Sequence, residues 1–120
     1  MATTKVVTAI WNSQNLAADS TQTSSSVNLD DGYGAALHVK VTNGNTGPSV
    51  PAYTQIQVSA DGSEWYDFGE RLIAGTGDNE TSSWGGIDIP QGVEYLRLVA
   101  TGNKGQPVTL DADISEVTAV

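Results

Sequence analysis

The chain has 120 residues, the size of one ordinary domain, and we expect a single domain over residues 1–120. It contains no cysteine, which excludes disulfides and thiolate metal sites, and its apolar runs are too short for a membrane helix or a signal peptide. Fourteen acidic residues against five basic ones give a formal charge of −9, which disfavours nucleic acid as a partner because such a charge repels phosphates.

The first predicted element is a strand over residues 5–11. Its apolar residues do not alternate cleanly with polar ones, which is typical of a strand covered on both faces or of one used at a contact with another protein. These residues are Val6, Val7, Ile10 and Trp11. Residues 12–26 form a polar connection that merges into a short strand at 24–29.

Two adjacent carboxylates, Asp30 and Asp31, open the next loop. A calcium ion needs several more oxygen ligands at defined spacing, and this stretch lacks the pattern of an EF-hand loop. We therefore interpret it as a solvated loop, and the sequence predicts no metal site and no cofactor.

Three later segments have the period of two that defines a half-buried strand. They are residues 36–42 (Leu37, Val39 and Val41 inward, His38 and Lys40 outward), 93–101 (Leu96, Leu98 and Ala100 inward) and 108–120 (Val108, Leu110, Ala112 and Ile114 inward). In the last segment the pattern slips by one residue towards Val117, which predicts a β-bulge.

Residues 54–69, TQIQVSADGSEWYDFG, predict a hairpin. Ile56 and Val58 alternate with polar residues, and Asp61-Gly62 provides the reversal because glycine adopts positive φ without steric penalty. Large rings follow at once, namely Trp65, Tyr66 and Phe68. Their apolar area leads us to expect that the core closes around this hairpin.

About eight short strands without helical periodicity predict an all-β fold, an antiparallel β-sandwich of jelly-roll type. One internal echo is visible, since LHVKVTNGNTGP and LRLVATGNKGQP both place an alternating strand before an Asn/Gly loop closed by proline. This echo predicts that the loops after residues 43 and 101 lie at one end of the sandwich.

Candidates for catalysis are few. His38 is the only histidine, lies on the polar face of a strand and has no nucleophile-elbow sequence beside it, so we do not expect an enzyme. The tryptophans allow a binding role, because an exposed indole stacks on a sugar or anchors a protein contact. Trp65 is expected in the core, whereas Trp84, beside Gly85-Gly86, fits either position.

The combination of SADGSEWYDFG, IDIPQGVEYLRLVATGN and QPVTLDADISEV resembles the small β-sandwich head decoration, or cement, proteins of tailed-phage virions. The resemblance covers residues 24–120. It implies a structural protein that binds the major capsid protein on the outer surface of the head and bridges capsid subunits. It further implies assembly in the bacterial cytoplasm and a homo-oligomer, with a trimer favoured.

In such a protein, residues 1–11 are expected to form a contact arm or edge strand, and the late strand at 114–120 a second contact element. The candidate contact residues are Val6, Val7, Ile10, Trp11, Trp84, Val117 and Val120. Two alternatives remain open at this point. The SADGSEW turn also resembles that of galactose-binding-like jelly rolls, so the chain fits a carbohydrate-binding module, and a tail or neck component of a phage is the other alternative.

Overall fold

The computed structural model describes residues 4–29 and 32–119, and within these ranges the chain forms ten β-strands and no helix. Asp30 and Asp31, considered above for calcium, lie outside the described residues. The strands are β1 (Thr4–Leu16), β2 (Gln22–Thr23), β3 (Val27–Asn28), β4 (Ala35–Asn43), β5 (Tyr53–Ser59), β6 (Tyr66–Asp67), β7 (Leu72–Ile73), β8 (Thr81–Ile89), β9 (Tyr95–Thr101) and β10 (Val108–Ala119).

The strands form two antiparallel sheets. Sheet A has the order β1-β10-β4-β8, and sheet B has the order β2-β9-β5-β6, with β3 pairing with β9 and β7 with β5. The predicted antiparallel β-sandwich of jelly-roll type is therefore confirmed. The described residues contain ten strands where about eight were expected, because four of the ten are two-residue pieces at the margins of sheet B.

The core lies between the two sheets and is built by the segments that alternate most regularly. Every inward residue predicted on β4, β9 and β10 is buried, and these residues pack with Ile56 of β5 and Ile89 of β8. Such an interior needs side chains on alternate positions only, which leaves the intervening polar residues on the two outer faces. The slip predicted between Ile114 and Val117 is not found there, because β10 keeps its register with β1 from Ile114 to Val117. The register changes beyond Val117, between the pairs Lys5–Val117 and Thr4–Ala119.

The hairpin of residues 54–69 forms, with β5 pairing with β6 and Gly62 at a φ of +80°. The expectation that the core closes around its rings is wrong for Trp65 and Tyr66, whereas Phe68 packs against the core. Tyr66 is 63% exposed, and Trp65 and Phe68 are only partly buried. The physical reason is that β6 is a two-residue strand at the edge of sheet B, where the opposite sheet does not cover a side chain.

The two loops that echo each other do lie together, as predicted. Val50 pairs with Lys104, and the Ser49 amide donates to the Lys104 carbonyl at 3.0 Å. Each loop region is fixed by a buried asparagine. The Asn43 amide group donates to the Gly75 and Gly77 carbonyls, and the Asn103 amide group donates to the carbonyls of Leu16, Ala17 and Gln106.

The hairpin turn makes a pH-dependent contribution to stability. Backbone amides of Glu64 and Ser63 donate to the Asp61 carboxylate, as does the Ser59 hydroxyl, and these bonds hold the pKa of Asp61 below its ordinary value of 3.8. A lowered folded-state pKa stabilises the protein above the unfolded value, and this contribution is lost as pH falls through the folded value.

We therefore expect the NMR titration of the Asp61 carboxyl carbon to have its midpoint below pH 3.8. The stability difference between the wild type and Asp61→Asn should shrink as the pH is lowered through this window, because both side chains are then neutral. The Asp61→Asn variant also identifies the resonance. A midpoint at or above 3.8 would contradict the hydrogen bonding described for the turn.

Candidate functional site

The first half of β1 is the most exposed apolar segment of sheet A. β1 pairs with β10 on one side and forms the edge of the sheet on the other. Residues 4–9, which we call the arm, are exposed at every position. An edge strand presents unpaired backbone N–H and C=O groups, so the arm offers main-chain hydrogen bonds as well as side chains to a partner.

The two exposed valines of the arm lie on opposite faces. Val7 is 67% exposed and pairs with Ser115, whose other neighbour across the sheet is Ala36. Val6 is 46% exposed and pairs with Glu116. Because successive side chains point to opposite faces of a strand, a partner strand paired with the arm would contact apolar surface on both of its sides.

A groove of about 280 Å³ lies beside the arm. It is lined by Lys5, Tyr33, Gly34, Ala35, Ala36, Asp88, Ser115 and Val117. Tyr33 is half exposed, and its backbone amide donates to the Val117 carbonyl at 2.7 Å. This hydrogen bond fixes the backbone of Val117, which also lines the groove.

The electrostatics of the arm differ from those of the remaining chain. The segment Thr4–Leu16 contains one charged residue, Lys5, and none of the fourteen carboxylates of the sequence. Two acidic proteins repel each other wherever their carboxylates approach. β4, β5 and β9 also lack carboxylates, but each is paired on both sides, whereas β8, the other edge strand of sheet A, contains Asp88. β1 is therefore the edge of sheet A whose own side chains repel an acidic protein least.

The remaining candidate contact residues occupy different positions. Ile10 is partly buried and packs against the core, Trp84 does the same from β8, and Val117 is partly buried. Val120 lies outside the described residues. A contact role for Val6, Val7, Ile10, Trp84 and Val117 stays a prediction.

The assignment of Trp11 to a contact surface has to be corrected, because Trp11 is 5% exposed and belongs to the core. The cause is a register shift between Ala9 and Trp11, which leaves Ile10 as an extra residue opposite β10. A bulge of this kind reverses the alternation of side chains, so Trp11 faces inward opposite Ala112. The sequence gives no direct signal for this bulge.

A larger groove, of about 430 Å³, lies over the outer face of sheet A. Its polar lining comes from His38, Lys40, Ser83, Asp111 and Asp113, and Gly85 also lines it. The Gly86 amide donates to His38 Nδ1 at 3.2 Å, at a register shift where β8 carries two glycines opposite one residue of β4. The histidine thus satisfies a backbone donor that the bulge leaves without a ladder partner.

Among residues 4–29 and 32–119, no three His, Cys, Asp or Glu side chains are grouped so that they could hold a metal ion. The same residues contain no helix long and apolar enough to cross a membrane.

The sequence matches no protein-family model and no curated protein sequence. The structure is similar to a chain in the structure of infectious bursal disease virus strain Gx, with a TM-score of 0.65 and 12% identity over 98% of this chain. It is also similar to VP2 in a subviral particle of that virus, with a TM-score of 0.62 and 12% identity over 98% of this chain.

The chain spans about a third of those viral proteins, 32% and 33% of their lengths. A third similar structure is a family 16 carbohydrate-binding module, with a TM-score of 0.51 and 8% identity, of which the chain covers 81% while 88% of the chain itself is matched. At such identities the likeness establishes the fold alone. The chain thus has a β-sandwich fold that occurs in viral particles and in binding modules.

We expect substitutions in the exposed and in the buried part of β1 to differ in their effect on the free energy of unfolding. Val7→Asp should change the free energy of unfolding by no more than about 1 kcal/mol, since Val7 is exposed on both the strand edge and the outer face. Trp11→Ala should cost roughly 3–5 kcal/mol, because it leaves a cavity in the core. Urea denaturation measures both. Equal losses for the two variants would show that the arm is packed in solution.

Proposed function

We propose that this chain is a structural virion protein, a decoration or cement protein that binds the outer surface of a phage head and stabilises it by bridging subunits of the major capsid protein. One observation carries the proposal. A sandwich of the type found in viral particles presents an exposed, apolar strand edge without carboxylates on an otherwise acidic surface.

The arm gives the proposal a mechanism of attachment. A strand of the capsid protein adds to the free edge of β1, and the main-chain hydrogen bonds supply affinity while Val6 and Val7 supply contacts on the two faces. Lys5, the single charge of the arm, selects a partner with an acidic group at the matching position. The groove beside Tyr33 and Val117 accepts further side chains of the same capsid strand.

Stabilisation then follows from mass action. A protein that binds the assembled head and not its dissociated subunits shifts the equilibrium towards the head. Many copies act together, and a homo-oligomer, with a trimer favoured, raises the effective concentration of each contact around a local symmetry axis. The outer surface of the head suits the net charge of −9, because it keeps the protein away from the packaged genome.

The test is a binding assay with heads prepared without this protein, from the phage that encodes it. Val6→Asp and Val7→Asp should each weaken binding at least about tenfold, because a carboxylate would be buried without a partner in the contact. Val50→Asp is the matched control. Val50 is 46% exposed, as Val6 is, but lies in the loop region at the opposite end of β4.

Wild-type affinity of both arm variants would overturn the attachment through β1. Failure of the wild-type protein to bind any such heads, or to protect them against heating, would overturn the proposed function itself. Light scattering on the free protein tests the oligomer separately, with a trimer as the expected mass.

A further inference from the structure

The outer face of sheet B carries a second feature, which the sequence did not indicate. The chain has two arginines, Arg71 and Arg97, and both lie on this face. The Arg71 guanidinium lies over the Tyr53 ring at 4.4 Å from its centroid, and the Arg97 guanidinium lies over the Trp65 ring at 4.3 Å. Each charged group is therefore held in a defined orientation by an aromatic ring.

Neither arginine forms an ion pair within the described residues, although the chain has fourteen carboxylates. Arg97 donates from Nε to the Gln57 side-chain oxygen at 2.8 Å, and the Gln57 amide nitrogen in turn donates to Asp67 Oδ1 at 3.2 Å. The terminal nitrogens of both guanidinium groups remain available. These are the atoms that bind a carboxylate with two parallel hydrogen bonds.

A shallow groove of about 180 Å³ runs along this face, with Arg71 in its wall. Outward positions of β5 and β9 form its floor, in the pairs Tyr53–Thr101 and Gln55–Val99, and Gln57 continues the floor towards its own partner, Arg97. Tyr53 and Gln57 are four residues apart on one strand, or about 13 Å. The groove thus contains Arg71, and Arg97 lies next to it on the same face, as the cross-strand neighbour and hydrogen-bond partner of Gln57.

We propose that this face binds an acidic saccharide, a short chain of sugars that carries carboxylate groups, as in a uronic acid oligomer. The guanidinium groups of Arg71 and Arg97 bind the carboxylates of the saccharide. Gln57 and the second oxygen of Asp67 exchange hydrogen bonds with the sugar hydroxyls, whereas the Thr101 hydroxyl already donates to the Ser20 carbonyl and is bonded to Thr21. The partly buried Val99 provides apolar contact for a sugar ring, and Tyr53 holds the Arg71 guanidinium in place beside it.

The mixed chemistry of the groove favours a hydroxylated acid over other anions. Asp67 lies across from Gln57. Its negative charge would repel a dense polyanion, whereas its carboxylate accepts a hydrogen bond from a sugar hydroxyl. An acidic peptide would be expected to use a free strand edge or an apolar pocket, and this groove is the face of a sheet lined mainly by polar groups.

This site is independent of the proposed attachment through the arm. The arm belongs to sheet A, and the arginine-bearing face belongs to sheet B on the other side of the core. A substitution in the arm that abolishes head binding should leave saccharide binding unchanged. A substitution of Arg71 or Arg97 should likewise leave head binding unchanged.

The test is calorimetric titration of the full chain at low salt with tetragalacturonate, with an alginate tetramer and with a neutral galactotetraose. We expect the acidic tetramers to bind, the neutral one to bind at least about tenfold more weakly, and added salt to weaken the acidic complexes. Arg71→Gln and Arg97→Gln should each reduce the affinity at least about tenfold.

Lys40→Gln is the matched control, because it removes one positive charge from the outer face of sheet A. It should bind as the wild type does. Arg71→Lys keeps the charge but loses the planar fork, and it should bind more weakly than the wild type. Thermal unfolding of each variant checks that it is folded.

Absence of binding by both acidic tetramers at millimolar concentration would overturn the proposal. So would equal binding of the neutral tetramer, or equal losses for Lys40→Gln and Arg71→Gln, since either result would mean that the arginines do not recognise the ligand.

Discussion

The simultaneous pairing of β10 with β1 on one side and with β4 on the other is the contact on which the rest of the structure depends. β10 is the 12-residue strand at the centre of sheet A, and it joins residues from opposite ends of the sequence. Its alternation sends Leu110, Ala112 and Ile114 into the core. The same alternation places Asp111 and Asp113 on the outer face, so one strand determines both sides of sheet A.

The length of β10 also determines what is left exposed. β4 and β8 reach their last paired row at Ala35 and Ile89, opposite Glu116, whereas β10 continues with β1 as its neighbour. β10 therefore holds the arm in the sheet along one side. The other side of the arm has no neighbouring strand in sheet A. Although the chain has fourteen carboxylates, β1 contains none, which distinguishes it from β8, the other edge strand of sheet A.

The regular parts of the fold could be predicted from the sequence, because β4, β9 and β10 up to Ile114 alternate without interruption and the core needs that alternation. Tyr66 was placed wrongly because ring size indicates burial only where an opposite sheet covers the strand. Trp11 was placed wrongly because a single extra residue, Ile10, reverses the faces of a strand without changing its composition.

The two arginine sites could not be predicted for a different reason. Arg71 and Arg97 are far apart in the sequence, and only the pairing of β5 with β9 and β7 brings both to one face. Stacking on Tyr53 and Trp65 depends on positions outside any local motif. Side-chain convergence across a sheet follows from register, and register is set by the whole fold.

In this account sheet A attaches the protein through its edge, and sheet B remains available on the opposite side. Hydrogen exchange on the free protein and on the protein bound to heads tests the attachment most directly. Within residues 4–9, we expect the amides that point away from β10 to exchange rapidly in the free protein and to become protected on binding, while β6 and β7 keep their free-state rates. Unchanged exchange of residues 4–9, with protection confined to another surface, would contradict the account.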